Sequence, residues 1–270
     1  MIRSFYFLLA ILPALSATGA AQAPAVRLHA AGSLRVAMTE IAKAYSETYG
    51  IRVDAVFGAS GSLKDRLIQG EPADVFASAD MGNPQALTQT GKAGPTVMFA
   101  RNRLCAILRP GLGATPATLL TTMLEPSVKI ATSTPKSDPG GDYAWQMFKK
   151  ADTERPGSRA VLEAKAIKIG NVPGSLAVPA GAGNAVLWMF QEKRADVFIS
   201  YCTNARVVVA QSPGVTAVSM PPALAVEAGY GLTLLAAADQ GRAAQFALFI
   251  LSPTGQKILA QHGFDAPLLQ

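Results

Sequence analysis

A chain of 270 residues, half of them apolar, has material for one large domain or two lobes of ordinary size around a packed core. Its formal charge of +6 is dispersed, with no run of five basic residues and no interleaving of basic and aromatic side chains, which argues against a nucleic-acid face and mildly favours an anionic ligand. Two cysteines, Cys105 and Cys202, are too few for a disulfide framework and leave a single bridge open.

The first segment, MIRSFYFLLAILPALSATGAAQA, has one arginine near its start, an apolar run from Phe5 to Leu15 and the small-residue ending Ala21-Gln22-Ala23. This pattern predicts a secretory signal peptide over 1–23 and an exported mature chain from Pro24. No later stretch reaches the roughly 18 consecutive apolar residues of a membrane-spanning helix.

AVRLHAAG then reads as a strand, and SLRVAMTEIAKAYSETYG as a helix with Leu34, Met38, Ile41 and Tyr45 on one face, ended by Gly50. IRVDAVFG is the next strand and SLKDRLIQG the next helix; ADVFASAD and NPQALTQTG repeat the pair. This alternation predicts a doubly wound α/β opening with parallel strands. A second unit starts at RLCAILRPG and continues through SVKIATSTP, helices around GGDYAWQMFKKA and GNAVLWMFQEKR, and a strand ADVFISYCTN. MPPALAVEAGYGLTLLA reads as an extended return crossing, and AAQFALFILSPTGQKILAQHGF as C-terminal helices. The expected organisation is a first lobe of 24–101 with 223–270 and a second of 102–222, joined by crossing strands, with a ligand cleft between them.

Chemistry concentrates where strands turn into helices. HAAGSL places Gly32 and Ser33, and FGASGSL places Gly58, Ser60, Gly61 and Ser62, at two successive helix starts. Unpaired N–H groups and the partial positive charge of a helix start stabilise an anion without lysine, and serine hydroxyls add donors. Each serine taken singly reads as an ordinary N-cap. Gly140 and Gly141, Gly181, Gly183 and Asn184, and Tyr201 at the end of a strand, offer similar equipment in the second unit.

Catalytic readings are weaker. GASGS departs from the G-x-S-x-G elbow, and only His29 and His262 are available as bases. The sequence has no HExxH, CxxC, P-loop or GxGxxG pattern, so it gives no sign of a catalytic residue, a metal cation or a cofactor. Asp80 is expected to cap the helix after it, and Lys64, Asp65 and Arg66 to form a solvated helix face.

HAAGSLRVAMTEIAKAYSETYGIRVDAVFGASGSLKDRLIQGEPADVFASAD, together with ARNRLCAILRPG, ADVFISY and SPTGQKILAQHGF, resembles the periplasmic molybdate-binding proteins, the ModA-type receptors of ABC importers. The most specific parts are the pairing of A-A-x-S-L with F-x-A-S-G-x-L and the P-A-D-V-F-x-S-A-D strand. The resemblance implies an α/β, two-lobed periplasmic binding protein fold (type II-like), each lobe a mainly parallel sheet flanked by helices, with a hinge of crossing strands. It also implies a monomeric, non-enzymatic receptor that closes on molybdate or tungstate through hydroxyl and backbone donors and delivers it to an inner-membrane permease. Carried over by position, the ligand residues are Ser33, Ser60, Gly140, Gly183 and Tyr201. The glycine-rich STPKSDPGGDYAWQMF, the long segment from Lys165 to Gly183 and Cys202 beside the tyrosine depart from the pattern. They leave open another oxyanion or a small carboxylate as cargo; an alternative of a different class is a secreted α/β serine hydrolase using Ser33 or Ser60.

Overall fold

A computed structural model describes residues 25–267; the predicted signal peptide lies outside them. β1 (Val26–Ala31) carries small and branched apolar residues and is buried almost throughout, as a central strand requires. It leads through a short 3₁₀ turn at Gly32–Leu34 into α1 (Arg35–Tyr49), which turns Ala37, Met38, Ile41 and Tyr45 inward. β2 (Val53–Gly58) pairs with β1 in parallel at the sheet edge and leads into α2 (Ser60–Ile68). β3 (Val75–Ser78) pairs with the other side of β1, again in parallel, and is followed by α3 (Gly82–Gln89).

β4 (Val97–Leu108) belongs to both halves of the molecule. The second half adds α4 (Leu119–Leu124), β5 (Ile130–Ser133), α5 (Pro139–Glu154), α6 (Ser158–Lys165), β6 (Ile167–Ile169), α7 (Ala185–Gln191), β7 (Val197–Tyr201), α8 (Cys202–Gln211) and β8 (Thr216–Ser219). β9 (Glu227–Leu234) returns the chain to the first half, and α9 (Gln240–Leu251) and α10 (Pro253–Gln261) close it. The first part of β4, up to Arg103, pairs with β9, and the remainder, from Leu104, pairs with β7 and β8. The strand order is β2-β1-β3-β9-β4-β7-β5-β6, with β8 also on β4. This is a mixed α/β, two-lobed architecture with a curled sheet.

The parallel pairs are those expected from strand–helix alternation: β1 with β2 and β3, and β5 with β6 and β7. The antiparallel pairs enter through β4 and β9, the strands that bind one half to the other. The C-terminal helices find the apolar partner they need on α1, where Tyr45 meets Phe246 at 5.0 Å and Phe249 at 5.5 Å between ring centres. The strand predicted over ADVFISYCTN stops at Tyr201. Cys202 opens α8, whose Thr203, Ala205 and Val208 form a buried face, and a disulfide ties Cys202 to Cys105 of β4. The bridge that the sequence left open therefore exists, because β4 and β7 are neighbours with Leu104 opposite Tyr201.

Candidate functional site

The parallel strands of both halves point their C-terminal ends at one cavity of about 250 Å³, the place where open α/β sheets bind ligands. From the first half it receives Gly32 and Ser33 after β1, Gly58, Ala59 and Ser60 after β2, and Ala79 after β3. From the second come Ser133 at the end of β5, Asp138 before α5, Asn184 to Val186 at the start of α7, Ser200 and Tyr201 of β7, and Asn204 of α8. Among the described residues its lining holds neither lysine nor arginine.

Two of the three predicted hydroxyls, those of Ser33 and Ser60, have a partner within the protein, and the third, that of Tyr201, has none. Asn102 on β4 donates through Nδ2 to the Tyr230 hydroxyl at 3.2 Å, and that hydroxyl lies 2.9 Å from Ser33 Oγ. With Tyr230 donating, the Ser33 proton is left for the cavity. Ser60, fully buried, accepts the Ala79 N–H at 3.1 Å and likewise keeps a proton to give. Tyr201 is 5% exposed, and its hydroxyl has no hydrogen-bond partner. Leaving a buried hydroxyl unpaired costs about 1–3 kcal/mol, so the atom points to a ligand that pairs with it. Burial, together with Tyr230 and Asp138, pushes this phenol well above its ordinary range and keeps the proton on it.

The two glycines carried over from the resemblance are placed differently. Gly140 donates its N–H to Asp138 Oδ1 at 2.9 Å, so that amide is already engaged. Its missing side chain serves packing: a Cβ on Gly140 would lie 2.8 Å from Ser133 Oγ, and one on Gly141 2.5 Å from the Ser133 carbonyl. Gly183 lies outside the cavity lining and borders a neighbouring groove with Val36 and Val207. Asn184, which caps α7 by accepting from the Val186 N–H at 3.0 Å, lines the cavity in its stead. Sequence reasoning missed Ser133, Asp138, Ser200 and Asn204 as lining residues. Of these, Asp138 had a readable signal, since D-P-G-G is an N-cap aspartate followed by proline at the first helical position.

Residues 26–265 match the model of the bacterial extracellular solute-binding protein family. The chain belongs to that family. It is 28% identical over 259 residues to the molybdate-binding protein ModA of Mycobacterium tuberculosis, covering 94% of this chain and 90% of the relative. The periplasmic molybdate-binding protein of Azotobacter vinelandii shares its fold with a TM-score of 0.73 at 19% identity, over 90% of this chain and all of that one. The sulfate-binding protein SubI of Mycobacterium tuberculosis superposes with the same TM-score at 21% identity, over 90% and 86%.

The family and fold are those of solute-binding receptors of ABC importers, which bind small ligands, work with a permease and are not enzymes. The receptor's histidines lie away from the cavity lining: His29 Nε2 lies 2.9 Å from Glu71 Oε1, and His262 Nε2 lies 2.8 Å from Glu40 Oε2. Ser33 and Ser60 therefore have no histidine beside them to complete a triad, and the hydrolase alternative fails on geometry as well as on family. Asp80 accepts the Asn83 N–H at 3.1 Å in the first turn of α3, the capping role expected of it.

Among the described residues, the one acidic group lining the receptor's cavity is Asp138. Burial pushes its carboxyl up to about 6; the Gly140 amide opposes this, and Asp142 and Asp80 reinforce it.

Proposed function

We propose that this receptor captures molybdate, and tungstate with it, in the cavity between Ser33, Ser60 and Tyr201, and delivers it to an inner-membrane permease. The observation that carries the reading is the Tyr201 hydroxyl, buried and unpaired in a cavity that Ser33 and Ser60 also line and that has no basic side chain among the described residues. Neutral donors fixed in position can replace the water of a dianion without a buried counter-ion. The 28% identical relative named as molybdate-binding supports this cargo. Fold alone does not choose it, since a sulfate-binding protein superposes equally well. Donors spaced for a larger tetrahedron leave some unpaired around sulfate, at about 1–3 kcal/mol each. Calorimetry with molybdate, tungstate and sulfate tests the reading: tight molybdate and tungstate binding with weak sulfate binding is expected, and sulfate binding as tight as molybdate would sink it.

Export follows the predicted cleavage after Ala23, and a mature N-terminus at Pro24, read by mass spectrometry of the secreted protein, is the expected outcome. The receptor acts as a monomer, with lobes divided at 24–101 with 223–270 and at 102–222. A second reading, another oxyanion or a small carboxylate in the same cavity, draws on Asp138, whose carboxyl occupies the amide that the resemblance assigns to the ligand. Native mass spectrometry of freshly purified protein identifies the retained ligand.

A further inference from the structure

Asp138 stands at the N-cap of α5 and lines the cavity that also receives the unpaired Tyr201 hydroxyl. Among the described residues a single hydrogen bond reaches its carboxyl, from Gly140 to Oδ1. Oδ2 therefore has no donor among the described residues. A dianion seated against Ser33, Ser60 and Tyr201 in a cavity of about 250 Å³ brings its own negative oxygens to this group. Two anionic oxygens do not share such a contact unless a proton lies between them.

We infer that one proton is held between Asp138 and an oxygen of the bound anion, so that Asp138 selects ligands by protonation state and capture of a fully deprotonated dianion consumes one proton. The inference deepens the oxyanion reading of the cavity and rests on it.

Among the described residues no basic group acts on Asp138: Asp142 on α5 and Asp80 beyond β3 act on it with negative charge, and the phenols of Tyr201 and Tyr230 face it. Lys136 directs its backbone N–H to Asp142 Oδ1 at 2.9 Å, and its charge acts on Asp142. With its carboxyl held near 6, Asp138 takes up a proton close to neutral pH. The proton has two sources: bulk water, for an anion such as molybdate that carries none, or the ligand itself, for one such as hydrogen phosphate.

Calorimetry at pH 6 and pH 8, each in two buffers of different ionisation enthalpy, separates the sources when run on the receptor and on Asp138→Asn with molybdate and with inorganic phosphate. Asparagine keeps the oxygen that caps Gly140. Molybdate is expected to take up close to one proton at pH 8 and to bind about 50-fold more weakly there than at pH 6, since affinity scales with the protonated fraction. Asp138→Asn is expected to bind molybdate with no proton uptake and equal affinity at both pH values. Phosphate is expected to bind the unaltered receptor at pH 8 without proton uptake and to lose at least about tenfold in the variant.

Molybdate binding with no proton uptake and no pH dependence, or a pH dependence that persists in Asp138→Asn, overturns the inference and leaves the molybdate reading standing. Absence of molybdate binding in both proteins removes the molybdate reading, and the phosphate arm then decides the proton: equal phosphate binding by both proteins overturns it. Failure of both anions with both proteins overturns the two together.

Discussion

Ser33, Ser60 and Tyr201 bring three of the cavity's hydroxyls, and deleting the tyrosine's is expected to act differently from deleting either serine's. Tyr201→Phe removes a buried O–H that has no partner, so stability in urea is expected to hold or rise slightly. Ligand affinity is expected to fall by about 1.5–3 kcal/mol, the worth of a hydrogen bond to a charged acceptor. Ser33→Ala loses a similar amount of affinity and removes a partner of the buried Tyr230 hydroxyl, at about 1–3 kcal/mol of stability. Ser60→Ala likewise strands the buried Ala79 N–H, and is expected to cost about 1–3 kcal/mol of stability besides affinity. Urea unfolding and calorimetry on the three variants check the pattern, and equal stability losses in all three would contradict it. These serines and the tyrosine were legible because they stand where a strand ends and a helix begins. Asp138 was not read as part of the site because its capping signature accounts for it locally, and only the cavity reveals its second position.

At the scale of elements, the junction of β7 and α8 positions Tyr201. The disulfide from Cys202 to Cys105 fixes the start of α8 to β4 across a sequence separation of 97 residues. By loop-closure reasoning, losing it costs about 4.7 kcal/mol. A Cys105→Ala, Cys202→Ala double variant is therefore expected to unfold at clearly lower urea concentration and to bind its ligand more weakly, because the residue after Tyr201 is no longer anchored. Unchanged affinity would show that β4–β7 pairing alone holds the tyrosine. Strands and long amphipathic helices were legible from periodicity, as α1 and α2 illustrate. α6, β6 and β8 were not: β6 has three residues and β8 four, too few for a period to show.

For the molecule as a whole, the two halves touch at Gly61, Ser62 and Ser137, next in the chain to Ser60 and Asp138 of the cavity lining. The Gly61 N–H on α2 donates to the Ser137 carbonyl at 3.1 Å, and Ser62 Oγ lies 3.1 Å from Ser137 Oγ. A Cβ on Gly61 would press on the Lys136 carbonyl and lie 2.8 Å from that of Ser137. These backbones approach because this position has no side chain. Gly61→Ala is expected to hold the halves apart, weakening ligand binding at least about tenfold while leaving the unfolding transition of the free protein in place. Calorimetry together with small-angle scattering reads this as a larger radius in the presence of ligand, and a ligand-induced contraction equal to that of the unaltered receptor would count against it.

The sequence by itself determined the alternation of strands and helices and the small hydroxyl residues at the first two junctions, because periodicity and capping act over a few neighbours. Only the tertiary structure decided that β4 and β9 join the halves in antiparallel pairs, that Cys105 meets Cys202, and that Gly140 gives its amide to Asp138 while Asn184 takes the place expected of Gly183. Those outcomes depend on which distant segments the sheet brings together, and on burial and unmet hydrogen bonds that exist only once they have met.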